Sequence, residues 1–294
     1  MDTFNFRKES RALNVFVTGS NGQLGSALCR QLKQKEIKFT GVNRDGFDIT
    51  NPQSVLFAIS NSSPDVVIHC AAWTAVDLAE THSNETFLVN ELGTSNVALA
   101  CEKIGIPLVY ISTDYIFDGK KQGLYYPHEE PAPLSVYGAS KAAGERIVCS
   151  LLQEFFIVRT SWMFGFNGRN FVDTILQLAS KQSVINVVAD QFGSPTYVED
   201  LATLLIDMIY THKFGFYHAH NEGFCSWAEF AKEIINQAKL SCYVNPVTSN
   251  EYPQEAERPK NCRLDQSSLY QQGFTLLPHW KDALTRYLKQ RFVI

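Results

Sequence analysis

Five short apolar runs in the first half of the chain alternate with longer stretches that have helical spacing. The runs are continuous rather than alternating, which is typical of strands buried on both faces of a parallel sheet. They cover residues 14–19, 38–43, 65–72, 107–113 and 155–160. Helical periodicity covers residues 23–35, 52–60, 84–104 and 135–152. This rhythm predicts an α/β fold built on a doubly wound, Rossmann-like parallel sheet.

The second half of the chain is less regular. Helical spacing returns at residues 171–181, 198–210, 227–238 and 280–290, between loops rich in Gly, Pro and aromatic residues. We expect a flexible N-terminal extension at residues 1–13, a dinucleotide-binding domain at 14–160, and a smaller C-terminal α/β region at 161–294. This last region is expected to bind mainly substrate and to be partly interleaved with the domain before it.

Composition excludes several classes of protein. The 294 residues are 45% hydrophobic and 19% charged, which excludes wholesale disorder, and the net charge of −4 lacks the basic excess of a nucleic-acid-binding protein. No run approaches the roughly 20 apolar residues of a membrane span, and the first residues lack the apolar core of a signal peptide. Seven scattered cysteines without a CxxC pair fit reduced thiols. We therefore expect a cytoplasmic protein that binds neither nucleic acid nor a membrane.

A glycine-rich turn lies directly between the first predicted strand and the first predicted helix. Residues 18–25 read TGSNGQLG, which places Gly19, Gly22 and Gly25 three residues apart. Glycines let a backbone turn tightly and approach a pyrophosphate, while the free N–H groups and dipole of the following helix face its charge. In the first βα turn of such a pattern, this spacing predicts nucleotide binding.

A tyrosine and a lysine lie one turn apart on the predicted helix at residues 135–152. Tyr137 and Lys141 would share a face, and a nearby ammonium group favours phenolate over phenol. We therefore expect Lys141 to lower the pKa of Tyr137 from about 10 toward neutrality, which suits a general acid. Thr113 ends the fourth predicted strand, where open α/β sheets bind ligands, so it could contact both Tyr137 and a substrate oxygen. Taken alone, the Tyr137–Lys141 spacing also fits a pair of surface residues, and Thr113 also fits a turn at the start of a loop.

Taken together, the glycine turn, the Ser112-Thr113 pair and the YxxxK motif resemble the extended short-chain dehydrogenase/reductase family. Further segments narrow the resemblance to the branch that reduces dTDP-linked 4-keto deoxysugars. These segments occur in order at residues 71–77, 112–119, 133–141, 159–162, 190–196 and 257–265. The resemblance covers roughly residues 14–290, and the ordered co-occurrence of the segments is much more specific than any one of them.

The resemblance implies a reaction and a set of residues. The expected reaction is reduction of the C4 keto group of dTDP-4-dehydro-6-deoxy-L-mannose to dTDP-L-rhamnose, with NADPH or NADH as cofactor. The residues expected at the cofactor are Gly19, Gly22, Gln23, Leu24 and Gly25 at the pyrophosphate, Asp48 and Ile49 at the adenine, and Ala71, Ala72, Thr74 and Lys141 at the nicotinamide side. The expected catalytic residues are Thr113, Tyr137 and Lys141, with Asp114 beside them, and the expected substrate contacts are Val76, Asp114, Trp162, Asn170, Arg258 and Asn261.

Two other functions fit the same residues. One is a non-catalytic, nucleotide-binding regulatory subunit that resembles the β subunit of methionine adenosyltransferase, a relative in which the catalytic residues can persist. The other is a reductase of a different nucleotide-linked 4-keto deoxysugar, because a change in sugar pose alters no catalytic residue. Some family members bind Mg²⁺ at a dimer interface, but no pattern here assigns a metal ligand. A homodimer stays an open expectation.

The cofactor preference gives a first prediction. Arg44 follows the second predicted strand, where NAD-specific enzymes carry an acid, and a guanidinium group can pair with a 2′-phosphate. Asp45 follows Arg44 and weakens the case for strict NADPH use. We therefore expect the protein to use both cofactors, and to use NADPH at least as well as NADH. Steady-state kinetics of Arg44→Ala should show a much larger rise in KM for NADPH than for NADH. An equal rise for both cofactors would remove Arg44 from this role.

Overall fold

The computed structural model describes residues 13–292, so the expected extension at residues 1–13 lies, apart from Leu13, outside the described residues. The strands are β1 (Asn14–Thr18), β2 (Lys38–Val42), β3 (Val66–His69), β4 (Leu108–Thr113), β5 (Phe155–Thr160), β6 (Met163–Phe164), β7 (Val184–Val188), β8 (Phe192–Gly193), β9 (Thr196–Tyr197), β10 (Gly215–His218), β11 (Asn221–Glu222), β12 (Cys225–Ser226), β13 (Tyr243–Val247) and β14 (Leu277–His279).

The helices alternate with these strands. They are α1 (Gln23–Gln34), α2 (Pro52–Ser62), α3 (Val76–Thr81), α4 (Ser83–Phe87), α5 (Gly93–Ile104), α6 (Val136–Leu151), α7 (Phe171–Ala179), α8 (Val198–Met208), α9 (Trp227–Gln237), α10 (Ser267–Gln271) and α11 (Trp280–Phe292). Within residues 13–292, no helix is long and apolar enough to cross a bilayer.

The central sheet has six strands in the order β10-β5-β4-β3-β1-β2, and every neighbouring pair is parallel. Strands β1, β3 and β4 are buried at every residue, as their continuous apolar runs predict. The predicted fold class is therefore confirmed. The strand order reverses between β1 and β3, and an open α/β sheet binds its ligands at the carboxyl ends of strands beside such a reversal.

Helices cover both faces of the sheet. On one face, Leu28 of α1 and Leu205 of α8 pack with Val17 of β1 in one apolar cluster, and α2, α5 and α6 cover the other face. A separate cluster lies among α7, α9, α11 and β7. Residues after 160 thus supply β10 to the central sheet and α8 to the helices that cover one of its faces. The domain division at residue 160 stays a prediction.

The expected helix at residues 84–104 is interrupted by a π-helical turn at Leu88–Leu92. This turn carries Asn90, whose Nδ2 donates to the Trp73 carbonyl at 3.1 Å and to Ser140 Oγ at 2.9 Å, while its Oδ1 accepts from the Trp73 N–H at 2.8 Å. A π turn interrupts helical periodicity over only a few residues and often marks a functional site. Here it joins the loop after β3 to helix α6.

A buried ion pair fixes α6 against β5. Glu145 and Arg159 are each at most 3% exposed, and Arg159 Nε and Nη2 donate to the two carboxylate oxygens at 2.9 and 2.8 Å. The bidentate geometry gives both charges a partner, which a buried charge requires. Helix α6 also carries Tyr137 and Lys141. The Glu145–Arg159 ion pair therefore holds the YxxxK motif in place relative to the sheet.

Candidate active site

A cleft of about 1230 Å³ lies at the carboxyl ends of the central strands. Segments after β1, β2, β3, β4 and β5 all contribute to its wall. The structure brings to this cleft most of the residues that the sequence predicts for the site: Gly19, Gly22, Gln23, Leu24, Gly25, Arg44, Asp48, Ile49, Ala71, Ala72, Thr74, Val76, Thr113, Asp114, Tyr137, Trp162, Asn170 and Arg258. Lys141 and Asn261 are not among the residues that line it.

The glycine turn is a tight backbone cradle. Gly19 has a φ of +65°, and a Cβ on it would lie 2.8 Å from the Ala71 nitrogen. A Cβ on Gly25 would lie 2.1 Å from the Gly19 carbonyl oxygen. Gly22 precedes α1 and no side chain caps this helix, so the first N–H groups of α1 are left for an anion. The cradle therefore fits the pyrophosphate of a dinucleotide.

A buried histidine supports the neighbouring loop. His69 Nδ1 is hydrogen-bonded to Thr18 Oγ1 at 2.7 Å, and Nε2 lies 3.3 Å from Thr94 Oγ1. The Thr18 hydroxyl oxygen also accepts from the Ala71 N–H at 3.2 Å. Burial lowers the pKa of His69 to about 3, so its ring is neutral at neutral pH. The neutral His69 ring therefore holds Thr18, which in turn positions Ala71.

The side of the cleft where the adenine is expected is made by residues after β2. Arg44 lines the cleft, and Asp48 Oδ1 accepts hydrogen bonds from Thr50 N and Oγ1 at 2.9 and 2.8 Å. These bonds hold the pKa of Asp48 below its ordinary value. Ile49 is buried, and its carbonyl accepts from Asn96 Nδ2 at 2.9 Å. The segment is thus fixed in place by bonds within the chain.

Thr113, Asp114 and Tyr137 meet at the carboxyl end of β4. The Thr113 hydroxyl donates to Asp114 Oδ1 at 3.0 Å, and burial raises the pKa of Asp114 to about 6. Burial also raises the pKa of Tyr137 to about 12, although a hydrogen bond with Thr113 opposes this rise. The Tyr137 phenol therefore holds its proton at neutral pH.

The expectation that Lys141 brings the pKa of Tyr137 toward neutrality is wrong here, because burial is the largest influence on that pKa and raises it. Lys141 is 3% exposed, and its Nζ lies 4.0 Å from the centre of the Tyr110 ring. Burial lowers the pKa of Lys141 to about 7, with the Glu145 carboxylate opposing the change. Lys141 therefore lies close to its titration midpoint at neutral pH.

Two residues expected at the substrate pyrophosphate have different surroundings. Arg258 lines the cleft, and its Nη1 and Nη2 donate to the Asp77 carboxylate at 2.9 and 2.7 Å. Asn261 lies away from the cleft, where its Nδ2 donates to the carbonyls of Lys121 and Gly123, each at 2.7 Å. The structure does not bring Asn261 to the predicted contact, because both amide protons are already bonded within the chain.

One wall of the cleft is aromatic. Trp162 lines it with a φ of +46°, a backbone conformation that costs a bulky residue roughly 1–3 kcal/mol. Its ring stacks on Trp227, with centroids 3.6 Å apart. Asn170 lies beside them, and its side chain caps α7 by accepting from the Asp173 N–H. Val76 lies across the cleft at the start of α3.

Sequence reasoning missed a number of residues of the site, among them Trp227, Arg169 and Asn90. Trp227 and Arg169 line the cleft, and Asn90 supports its wall. The Arg169 carbonyl accepts from Gln23 Nε2 at 3.0 Å, which joins the loop before α7 to the first turn of α1. Trp227 lies within the Ser226–Glu229 capping box at the start of α9. The sequence shows this box but not where α9 packs.

Across residues 13–292, no cluster of three or more His, Cys, Asp or Glu side chains is arranged to hold a metal ion. The seven cysteines are all free thiols. Burial raises the pKa of Cys101 to about 12 and that of Cys29 to about 11, so neither is a thiolate at neutral pH.

The family model described as the RmlD substrate binding domain matches residues 13–292. The chain belongs to this family. A relative from Bacillus subtilis, the spore coat polysaccharide biosynthesis protein SpsK, is 39% identical over 94% of this chain and 97% of its own length. A dTDP-4-dehydrorhamnose reductase from Aggregatibacter actinomycetemcomitans is 38% identical, over 92% of this chain and 96% of its own length. The crystal structure of a dTDP-4-dehydrorhamnose reductase from Bacillus anthracis in complex with NADP has a TM-score of 0.93 and 42% identity, covering 95% of this chain and 100% of that one.

The cradle of this RmlD-family chain generates a prediction about cofactor binding. Gly25→Ala should push the first turn of α1 away from Gly19, because the added Cβ would overlap the Gly19 carbonyl. We expect NADPH affinity, measured by fluorescence titration, to fall about tenfold or more, which corresponds to about 1.4 kcal/mol. Gly46→Ala is the control, since no atom lies within 4 Å of its added Cβ. Equal affinity in the two variants would contradict the cradle.

Proposed function

We propose that this chain is an NAD(P)H-dependent reductase that converts the C4 keto group of dTDP-4-dehydro-6-deoxy-L-mannose to the C4 hydroxyl of dTDP-L-rhamnose. The observation that carries the proposal is the meeting of Thr113, Asp114 and Tyr137 in the same cleft as the glycine cradle. The dTDP-4-dehydrorhamnose reductases reported above, which match almost the whole chain, support this choice of substrate.

The cofactor would lie along the glycine cradle, and bound NADPH or NADH supplies the hydride. Gly19, Gly22 and Gly25 would leave room for its pyrophosphate, where the uncapped N–H groups of α1 face the charge. Arg44 would pair with the 2′-phosphate of NADPH. Ala71, held by the Thr18–His69 hydrogen bonds, would lie at the nicotinamide side.

Tyr137 would protonate the substrate. Reduction leaves negative charge on the former carbonyl oxygen, which must be stabilised and protonated. With a pKa of about 12, the Tyr137 phenol carries its proton at Oη until that charge develops. Thr113 donates its one hydroxyl proton to Asp114 Oδ1 in the structure, and it would turn that proton to the substrate oxygen when the sugar binds.

Lys141 would act from behind Tyr137, one turn further along α6. In its protonated form its ammonium group stabilises the phenolate that forms as Tyr137 gives up its proton. It would also contact the nicotinamide ribose. Because burial holds the pKa of Lys141 at about 7, the protonated fraction falls as the pH rises through neutrality. We therefore infer that this stabilisation is strongest on the acid side of neutrality.

The sugar nucleotide would occupy the half of the cleft that faces Trp162. The indole can border the apolar side of a deoxysugar, and Val76 faces the same space. Arg258 would approach the pyrophosphate with its orientation fixed by Asp77, and Asn170 would border the nucleotide. We also propose a cytoplasmic location, in keeping with the seven free thiols, and a homodimer stays a prediction.

Tyr137→Phe tests the proposed chemistry, because it removes only the phenolic hydroxyl. General acid catalysis contributes a factor of about 10²–10⁴ to the rate. The kcat for NADPH oxidation with the keto sugar should therefore fall by about 10²-fold or more, while NADPH still binds. Lys141→Met should also weaken NADPH binding, since it removes the proposed ribose contact. Tyr126→Phe is the matched control, because Tyr126 is 40% exposed and does not line the cleft.

The same assay separates the remaining functions. If Tyr137→Phe keeps more than about a tenth of wild-type kcat when hydride transfer limits the rate, another group is the acid. A wild-type protein that binds NADPH, never oxidises it with the keto sugar and co-purifies with a synthetase would be the regulatory subunit instead. Faster turnover of a different nucleotide-linked 4-keto deoxysugar would keep the chemistry and change the substrate.

A further inference from the structure

Lys141 places an ammonium group where little water reaches it. The residue is 3% exposed, and its Nζ lies 4.0 Å from the centre of the Tyr110 ring. Within residues 13–292, no hydrogen bond or ion pair joins this Nζ to another protein atom. The carboxylate one turn further along α6, that of Glu145, gives both of its oxygens to Arg159. The face of the Tyr110 ring is therefore the direct partner of the ammonium group.

The hydroxyl end of the Tyr110 side chain contacts Lys141 as well. Tyr110 Oη donates to the Lys141 carbonyl oxygen at 3.2 Å. Gly144 leaves room for this hydroxyl, since an added Cβ there would lie 2.2 Å from Oη and 2.8 Å from Cζ of Tyr110. A glycine inside a helix is destabilising, and the space that the hydroxyl occupies accounts for this one in α6. One tyrosine thus contacts both the main chain and the ammonium group of Lys141.

Strand β4 holds the Tyr110 ring in a rigid part of the fold. Tyr110 pairs with His69 on β3 and with Ile157 on β5, and it is fully buried. The same strand ends at Thr113, beside Tyr137. The position of the ring therefore depends on the central sheet and not on a loop, and it is fixed relative to the proposed catalytic residues.

Lys141 is the group in this wall whose pKa lies at about 7. Asp114, which acts on Tyr137, has a pKa of about 6, so its titration comes first. The other titratable or charged groups around Lys141 come from β3, β4, β5 and α6, and each keeps one form at neutral pH. They are neutral His69, with a pKa of about 3, the Tyr137 phenol, with a pKa of about 12, Cys70 and Tyr110, whose pKa values burial raises, and the bonded Glu145–Arg159 pair.

We propose that Tyr110 is a positioning residue that holds the Lys141 ammonium group against its ring face and fixes the Lys141 main chain through its hydroxyl. The negative face of an aromatic ring attracts a cation, and the attraction is stronger where water is absent. The contact therefore offsets part of the desolvation that lowers the pKa of Lys141. What the charge does for the reaction rests on the proposed function, whereas the contact itself does not.

NMR titration of the full chain with ¹³C-labelled lysine measures the pKa of Lys141 without any substrate. Lys141→Met identifies its signal by removing it. Tyr110→Leu removes the ring face, so the pKa should fall by about one unit, a tenfold loss of proton affinity. Tyr110→Phe keeps the face, so the shift should stay below about 0.3 unit. Tyr217→Leu is the matched control, because Tyr217 is a buried tyrosine of the same sheet that packs in the cluster on its other side.

Ring fluorines test the contact while the shape of the side chain stays nearly constant. Phenylalanines with one, two or three ring fluorines, placed at position 110, make the ring face progressively less negative. The pKa of Lys141 should then fall in steps below its value in Tyr110→Phe. An equal pKa across this series would overturn the proposal even where Tyr110→Leu does not fold.

The pH profile of the reaction links the contact to the proposed role of Lys141. Only the protonated ammonium group stabilises the phenolate of Tyr137, so kcat/KM should decline as Lys141 loses its proton. In Tyr110→Leu this decline should begin at lower pH, by about the same shift as in the NMR titration. On the acid side of the profile kcat/KM should stay within about threefold of the wild type, because the proton donor is unchanged. Tyr110→Phe should keep the wild-type profile.

The outcomes separate this proposal from the proposed function. An unchanged pKa of Lys141 in folded Tyr110→Leu, or an equal fall in Tyr217→Leu, would overturn the positioning role. Activity lost by the same factor at every pH, with an unchanged NMR midpoint, would mark Tyr110 as purely structural and also overturn it. The expected fall of the pKa in a protein whose wild type reduces no keto sugar would support the contact and overturn the proposed function.

Discussion

The parallel direction of all six central strands is the constraint on which the site depends. Parallel pairing places every carboxyl end at one edge of the sheet, so residues distant in sequence meet there. Gly19 follows β1, Ala71 follows β3, Thr113 ends β4 and Trp162 follows β5. The strand order reverses between β1 and β3, which opens the edge into a cleft. The glycine turn and Tyr137 thereby line the same cleft.

Burial then sets the protonation of that edge. It raises the pKa of Tyr137 to about 12 and of Asp114 to about 6, and it lowers the pKa of Lys141 to about 7. All three shifts favour the neutral form of a group removed from water. The wall thus holds a protonated phenol, and Lys141, one turn further along α6, loses its charge more readily than an exposed lysine. The buried Glu145–Arg159 salt bridge keeps the helix that carries Tyr137 and Lys141 in place.

The sequence predicts those parts of the molecule that local patterns determine. The strands are apolar on both faces because both faces are covered, and the glycine spacing reflects positions, Gly19 and Gly25, where an added Cβ would overlap neighbouring backbone atoms. Other features depend on tertiary contacts. No local pattern shows that Trp227 stacks on Trp162, or that the side-chain amide of Asn261 donates its hydrogen bonds to the loop at Lys121 and Gly123. The Tyr137 pKa was mispredicted because the helix spacing shows the nearby charge and not the depth of burial.

The central claim is that this cleft passes a hydride to C4 of a dTDP-linked keto sugar while Tyr137 supplies the proton. The most direct measurement is NMR of the product formed from dTDP-4-dehydro-6-deoxy-L-mannose and NADPH that carries deuterium on both positions of nicotinamide C4. The account predicts dTDP-L-rhamnose with deuterium bound to sugar carbon C4 and a hydroxyl proton drawn from solvent. Recovery of the unreduced keto sugar from protein that binds NADPH, or a reduced sugar without deuterium at C4, would contradict it.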